Sequence, residues 1–163
     1  WSDEAPFYYQ LALYLYTIAS ITDYVDGYIA RRLKVESPFG EMLDPIADKL
    51  LIAAVLLALA SVQTSGWLFL VPALIILVRE FMISGLREYL AKQNLSAPVT
   101  KLAKWKTTAQ ILALGFLMGA PGFPGFPFAH EIGLSLLWLA AILTVQTGSG
   151  YVRGALGHVN SLR

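Results

Sequence analysis

Long segments without charged side chains alternate with short charged stretches along this sequence. The segments 5–22, 50–78, 107–129 and 132–152 contain no Asp, Glu, Lys or Arg. A polar stretch at 61–66 divides the second segment, which predicts two helices joined by a short turn. About 20 helical residues cross a hydrocarbon layer of roughly 30 Å. We therefore expect five membrane-spanning helices, near residues 6–30, 45–62, 66–90, 102–120 and 130–153.

The composition agrees with a membrane-embedded bundle. The chain has 163 residues, of which 56% are hydrophobic and 14% are charged, whereas roughly 25% of residues are charged in soluble domains. The apolar segments lack the period-two alternation of strands, so the predicted fold is an all-α integral membrane protein with 1–163 as a single domain. The absence of cysteine excludes thiolate chemistry, and a net charge of +1 gives no reason to expect nucleic-acid binding.

The basic residues predict the orientation of the bundle. Apart from Arg79, which lies inside a predicted span, Lys and Arg occur around 31–49 and 87–106 and in the last 11 residues. The segments 61–67 and 120–131 contain none. Because positively charged loops stay in the cytoplasm, we expect the connections at 31–49 and 88–106 to be cytoplasmic and residues 121–129 to lie on the opposite side.

Four aspartates lie at the predicted cytoplasmic ends of the first two spans. Asp23 and Asp26 are spaced i, i+3, and Asp44 and Asp48 are spaced i, i+4, so each pair shares a helix face. Four neighbouring carboxylates repel one another unless cations neutralise them. Oxygen ligands without His or Cys favour Mg²⁺, Mn²⁺ or Ca²⁺, and paired divalent ions are common in phosphoryl chemistry. The alternative is that these are ordinary interfacial acids, some of which cap helices.

The aspartates form part of a longer motif: Asp23-x-x-Asp26-Gly27-x-x-Ala30-Arg31, eight residues, then Gly40-x-x-x-Asp44-x-x-x-Asp48. This motif resembles, position for position, the signature of the CDP-alcohol phosphotransferase family. The resemblance extends from about residue 18 to 119. It implies an enzyme with six spans, so the first span of the family is expected to precede this chain. It also implies a homodimer in a bacterial cytoplasmic membrane, with the active site facing the cytoplasm.

The resemblance assigns a role to each motif residue. Two divalent ions, Mg²⁺ or Mn²⁺, are expected on Asp23, Asp26, Asp44 and Asp48. Asp48 would also act as general base toward the acceptor hydroxyl. The CDP part of CDP-diacylglycerol is expected to contact Gly27, Ala30, Arg31 and Gly40. Small residues let a flat nucleotide approach the backbone, although they serve close helix packing equally well.

A second group of residues is basic and lies near the predicted site: Arg79, Arg87, Lys101, Lys104 and Lys106. Arginine offers paired donors to a phosphate, and lysine a point charge. The group therefore predicts an acceptor that carries a phosphate. Alternatively, the lysines extend toward anionic headgroups, and the two arginines pair with Glu80 or Glu88.

The segments 79–88 and 101–110 resemble the glycerophosphate-specific branch of the family. The predicted reaction is therefore transfer of a phosphatidyl group from CDP-diacylglycerol to sn-glycerol 3-phosphate, with release of CMP. Inositol phosphate or serine are alternative acceptors within the same chemistry. A divalent-cation transporter is a weaker alternative, because the aspartates lie at one membrane face and have no acidic partners in the other half of the bundle.

Overall fold

The computed structural model describes residues 5–33, 38–62, 65–93 and 101–161, and within these ranges it contains helices and turns but no strand. The helices are α1 (Ala5–Leu33), α2 (Pro38–Val62), α3 (Trp67–Lys92), α4 (Lys101–Gly119) and α5 (Ala129–Ser161), and a short 3-10 turn, Ala120–Gly122, follows α4. The predicted all-α fold and its five helices are thus confirmed. The first, second and fifth helices extend further toward the charged side than predicted, because helical backbone continues beyond an apolar segment into polar residues.

Two of the helices are long and apolar enough to cross a membrane among the described residues, Trp67–Lys92 and Ala129–Gly150. The apolar part of α2, Lys49–Val62, is shorter. Hydropathy is lower in α1, which contains several Tyr, Ser and Thr residues, and in α4, which begins with three lysines among its first six residues. Membrane crossing by α1, α2 and α4 therefore stays a prediction.

The centre of the bundle is formed where α4 packs against α5 and α5 packs against α3. Leu114, Leu117, Leu137 and Ile76 are fully or almost fully buried there. Gly133 permits the close approach of α4 and α5, because a Cβ atom at this position would lie 2.8 Å from Leu117 Cγ. Small residues at such contacts let helix backbones approach closely, which is a common way of packing helices in membranes.

The first helix packs against α4 and the 3-10 turn. Tyr16 donates a hydrogen bond to the Ile111 carbonyl oxygen (3.3 Å), and Gln10 Nε2 donates to the Gly122 carbonyl oxygen (2.6 Å). Gly119 leaves room for Leu13, whose Cδ2 would lie 2.9 Å from a Cβ at this position. These contacts fix α1 beside α4 over several turns.

A proline inside α3 is matched by a tryptophan of α5. Pro72 has no N–H, so the Leu68 carbonyl oxygen, four residues earlier, lacks its usual helical partner. Trp138 Nε1 donates to that oxygen at 3.0 Å. A backbone acceptor freed within one helix is thereby satisfied by the next, which links α3 to α5.

Many large apolar side chains point outward, among them Ile18, Leu57, Val78, Phe81 and Ile142. Exposed side chains of this kind occur on all five helices rather than in one patch, and Leu112 and Trp105 are examples on α4. Soluble monomers seldom expose continuous apolar surface of this extent. An apolar exterior around the whole bundle is the pattern expected of a protein that is surrounded by lipid.

Candidate active site

The structure places the four motif aspartates on two consecutive helices. Asp23 and Asp26 lie in the second half of α1, and Asp44 and Asp48 lie in the first half of α2. Both helices are continuous through these positions. The i, i+3 and i, i+4 spacings therefore place the two aspartates of each pair on one face of their helix. Asp26 is exposed. The side chains of Asp23, Asp44 and Asp48 lie outside the described part of the structure, so the convergence of all four carboxylates stays a prediction.

The same holds for the predicted nucleotide contacts. Gly27, Ala30 and Arg31 follow Asp26 in α1, and Gly40 lies in the first turn of α2. Their surroundings are outside the described residues. The donor set that these helices carry consists of carboxylate oxygens, which suits a hard divalent cation. Among the residues whose side chains are described, no three His, Asp or Glu side chains come together as a metal site.

The described side chains form a buried charged group that joins three helices. Glu80 of α3 accepts through Oε1 from both Arg79 of α3 (3.3 Å) and Lys106 of α4. Arg79 also donates through its second terminal nitrogen to Thr147 Oγ1 of α5 at 2.9 Å. The exposed fractions of the Arg79, Glu80 and Lys106 side chains are 10%, 20% and 8%. We call the four residues Arg79, Glu80, Lys106 and Thr147 the Glu80 network.

The guanidinium of Arg79 is closely enclosed by α5. A Cβ atom at Gly148 would lie 3.2 Å from Arg79 Nε and 3.3 Å from its Cγ, so glycine is what leaves space for this side chain. Arg79 Nε is buried and has no hydrogen-bond partner within the described part of the chain, and the same is true there of Thr144 Oγ1, one turn before Thr147. Two positive side chains and one negative side chain leave the Glu80 network with a net charge of +1.

The other predicted basic residues have different surroundings. Arg87 is exposed, two turns beyond Arg79 on α3, and forms no ion pair with the described residues. Glu88 pairs with Lys92 at 3.1 Å, and both side chains are 72% exposed. Lys101 and Lys104 begin α4, and their side chains are outside the described part of the chain. The structure therefore brings Arg79 and Lys106 together, and it confirms the alternative pairing of Arg79 with Glu80.

Sequence reasoning gave Glu80 only as a possible partner of an arginine and gave no role to Thr147 or Gly148. A signal existed for Glu80, because it stands next to an arginine inside a predicted span, where an unpaired charge is costly. Nothing in the local sequence around Thr147 and Gly148 points to Arg79, which is 68 residues away along the chain from Thr147. Only the packing of α3 against α5 reveals their contact.

Comparison with known proteins identifies the family. Residues 5–146 match the model of the CDP-alcohol phosphatidyltransferase family. A CDP-diacylglycerol–glycerol-3-phosphate 3-phosphatidyltransferase of Rickettsia felis is 44% identical, over 88% of this chain and 78% of the relative. A protein of the same name from Pseudomonas fluorescens is 39% identical, over 94% of this chain and 78% of the relative.

A more distant relative carries a different name. A CMP-forming cardiolipin synthase of Oryza sativa is 36% identical over 85% of this chain, but the match spans only 46% of that protein. The family match covers most of the chain and includes both motif helices. This chain belongs to the CDP-alcohol phosphatidyltransferase family.

Proposed function

We propose that this membrane enzyme transfers the phosphatidyl group of CDP-diacylglycerol to sn-glycerol 3-phosphate, which yields phosphatidylglycerophosphate and CMP. The observation that carries the proposal is the 44% identity, over 88% of the chain, to a relative named for this reaction. The complete aspartate motif and the basic residues of α3 and α4 support it independently, because they supply the groups that the reaction needs.

In the proposed reaction, the acceptor hydroxyl attacks the phosphorus atom that carries the diacylglycerol. A new P–O bond forms to the acceptor, the P–O bond to the CMP phosphate breaks, and CMP leaves with its electron pair. Asp48 takes the proton of the attacking hydroxyl, as a carboxylate within hydrogen-bond reach can do. Gly27, Ala30, Arg31 and Gly40 contact the CDP part of the donor.

The family chemistry depends on divalent metal, and we assign its binding to Asp23, Asp26, Asp44 and Asp48, with two Mg²⁺ or Mn²⁺ ions. When bound, such ions neutralise the pyrophosphate and the leaving CMP. The helical registers of α1 and α2 and the exposure of Asp26 support this assignment. Excess EDTA should abolish CMP release, and Mg²⁺ or Mn²⁺ should restore it. Full activity in EDTA would contradict the assignment.

The acceptor phosphate is assigned to the basic residues of α3 and α4: Arg79, Arg87, Lys101, Lys104 and Lys106. Two observations support an anionic acceptor. The Glu80 network keeps a net positive charge in the bundle interior, and Arg87 is exposed without an ion-pair partner among the described residues. A neutral acceptor such as an unphosphorylated alcohol would not require this charge.

The test is an acceptor panel with purified enzyme, in which the lipid product is identified as well as CMP. We expect phosphatidylglycerophosphate with sn-glycerol 3-phosphate, and little CMP release with serine or inositol phosphate. Product formation from inositol phosphate or serine alone would overturn the acceptor assignment and leave the phosphatidyl transfer standing. Divalent-cation flux into vesicles without any CMP release would favour the transporter alternative.

The location of the site is part of the proposal. We place the protein in the bacterial cytoplasmic membrane as a multi-pass homodimer, with the motif aspartates facing the cytoplasm. The chain has no cysteine, so single cysteines can be introduced at positions 92 and 125 without background. In intact cells, a membrane-impermeant thiol reagent should label position 125 and not position 92. The opposite labelling pattern would invert the orientation.

A further inference from the structure

We infer that Glu80 is a positioning residue for acceptor binding. Its carboxylate holds Arg79 and Lys106 in the orientation in which they bind the acceptor phosphate. Thr147 of α5 also orients Arg79, by accepting a hydrogen bond from its guanidinium. This inference rests on the proposed function, because it concerns how the acceptor is recognised. It adds a residue that carries no positive charge and does not belong to the aspartate motif.

The geometry of the shared oxygen is the first argument. Arg79 and Lys106 lie on different helices, and both donate to Glu80 Oε1. Two like charges drawn to one atom repel each other, and the carboxylate between them offsets that repulsion. Without the carboxylate, the two cations would separate or recruit other partners. Glu80 therefore determines their spacing.

The enclosure of Arg79 is the second argument. Its guanidinium contacts Glu80 on one side and Thr147 on another, and the absence of a side chain at Gly148 lets it lie against α5. A long side chain held by two partners has already lost its rotamer freedom before the acceptor arrives. Binding then avoids that entropic cost, which lowers the KM for the acceptor.

The residual charge is the third argument. Glu80 neutralises one of two cations, so the network retains a net charge of +1, and Arg79 Nε keeps an unpartnered N–H among the described residues. A buried donor without a partner is costly. An anion that reaches the network would find both a favourable potential and preset donors. If Glu80 neutralised the whole positive charge of the network, an anion would find neither the favourable potential nor the free donor.

The experiment compares two glutamates on the same helix. Glu80→Gln removes the shared charge, and Glu88→Gln is the matched control, since Glu88 lies two turns further on and pairs with the exposed Lys92. We expect Glu80→Gln to raise the KM for sn-glycerol 3-phosphate roughly tenfold, the scale of one charge-assisted hydrogen bond. The KM for CDP-diacylglycerol should stay within about twofold, and Glu88→Gln should match the wild type in both values.

A second pair of variants keeps the inference testable if Glu80→Gln does not fold. Thr147→Val preserves the side-chain shape and removes the acceptor of Arg79, whereas Thr147→Ser restores a hydroxyl. We expect a several-fold rise in the acceptor KM for the valine variant and recovery in the serine variant. A purely structural role would instead lower the yield of folded enzyme or kcat, and would leave the ratio of the two KM values unchanged.

The outcomes separate this inference from the proposed function. If the wild type does not use sn-glycerol 3-phosphate, the proposed function fails and the comparison is repeated with the acceptor that is used. If the wild type uses it and Glu80→Gln behaves like Glu88→Gln, the positioning role is wrong while the function stands. A lower acceptor KM in Glu80→Gln would also overturn the role, because Glu80 would then compete with the phosphate for Arg79 and Lys106.

Discussion

At the turn end of the bundle, where α2 joins α3 and α4 joins α5, the helices are tied together by groups other than Asp, Glu, Lys and Arg. Ser65 Oγ lies 2.6 Å from His130 Nε2, and Gln10 donates to the Gly122 carbonyl oxygen. In the other half of the bundle, one carboxylate and two cations of the Glu80 network join α3 to α4, and Thr147 adds α5.

Both regions hold neighbouring helices together, but they differ in the desolvation free energy that their polar groups cost. Hydrogen bonds between uncharged groups fix helix positions with little desolvation, and they create no long-range field. Buried charges are expensive in a bundle surrounded by lipid and are retained mainly where they act on a ligand. We therefore expect the turn end to serve stability and, under the proposed function, the charged half to serve binding and chemistry. Variants in the two regions should therefore affect different measurements.

The largest effect is expected at the motif aspartates of the charged half. Asp48→Asn keeps the side-chain shape and removes the proton acceptor, so kcat should fall by about 10²- to 10⁴-fold. Binding of CDP-diacylglycerol should be preserved better than turnover. The measurement is CMP release at saturating substrates, together with a lipid-binding assay. A variant within a few-fold of the wild type would mean that another group accepts the proton.

A smaller effect is expected at the exposed arginine of α3. Arg87→Ala should raise the KM for sn-glycerol 3-phosphate by roughly tenfold to a hundredfold, because a charge-assisted phosphate hydrogen bond contributes about 1.5–3 kcal/mol. The KM for CDP-diacylglycerol should move little. Lys92→Ala is the control, since Lys92 lies on the same helix and pairs with Glu88. Equal effects of both variants would indicate a general surface potential rather than a phosphate contact.

At the turn end, the expected effect is on stability. A methyl group at Gly133 would lie within 3.0 Å of the Leu117 side chain and backbone nitrogen. Gly133→Ala should therefore lower the free energy of unfolding by about 1–3 kcal/mol, the usual cost of overpacking. Denaturation in mixed micelles measures it. Gly125→Ala is the control, because a Cβ at this position has no atom of the described residues within 4 Å apart from its chain neighbours. Activity per folded molecule should be unchanged in both variants.

The smallest effect is expected at the link between α3 and α5. Trp138→Phe removes the donor to the Leu68 carbonyl oxygen, which Pro72 leaves without a helical partner. We expect a loss of about 1 kcal/mol in the free energy of unfolding. Trp67→Phe is the control, because Trp67 is 77% exposed and its indole is not needed for this link. A loss of activity without a loss of stability would contradict the division between the two regions.

The sequence alone predicts the five helices, because charge-free segments that lack the period-two alternation of strands satisfy their own backbone in lipid as helices. It also determined the family, because the motif of Asp23 to Asp48 fixes residue types at set spacings within two helices. These properties depend on local periodicity and on residue identity. Both can be read from the chain without knowing which helices touch.

Which charged side chains meet depends on the tertiary structure. Lys106 is 26 residues from Glu80 in sequence, and Thr147 is 68 residues from Arg79. No periodicity links such distant positions, because their contact depends on the order in which helices pack. The sequence grouped five basic residues as equivalent, whereas packing buries Arg79 and Lys106 around one carboxylate and leaves Arg87 exposed. Which side chains become partners depends on which helices are neighbours. Small residues such as Gly133 and Gly148 determine how closely two helices can approach.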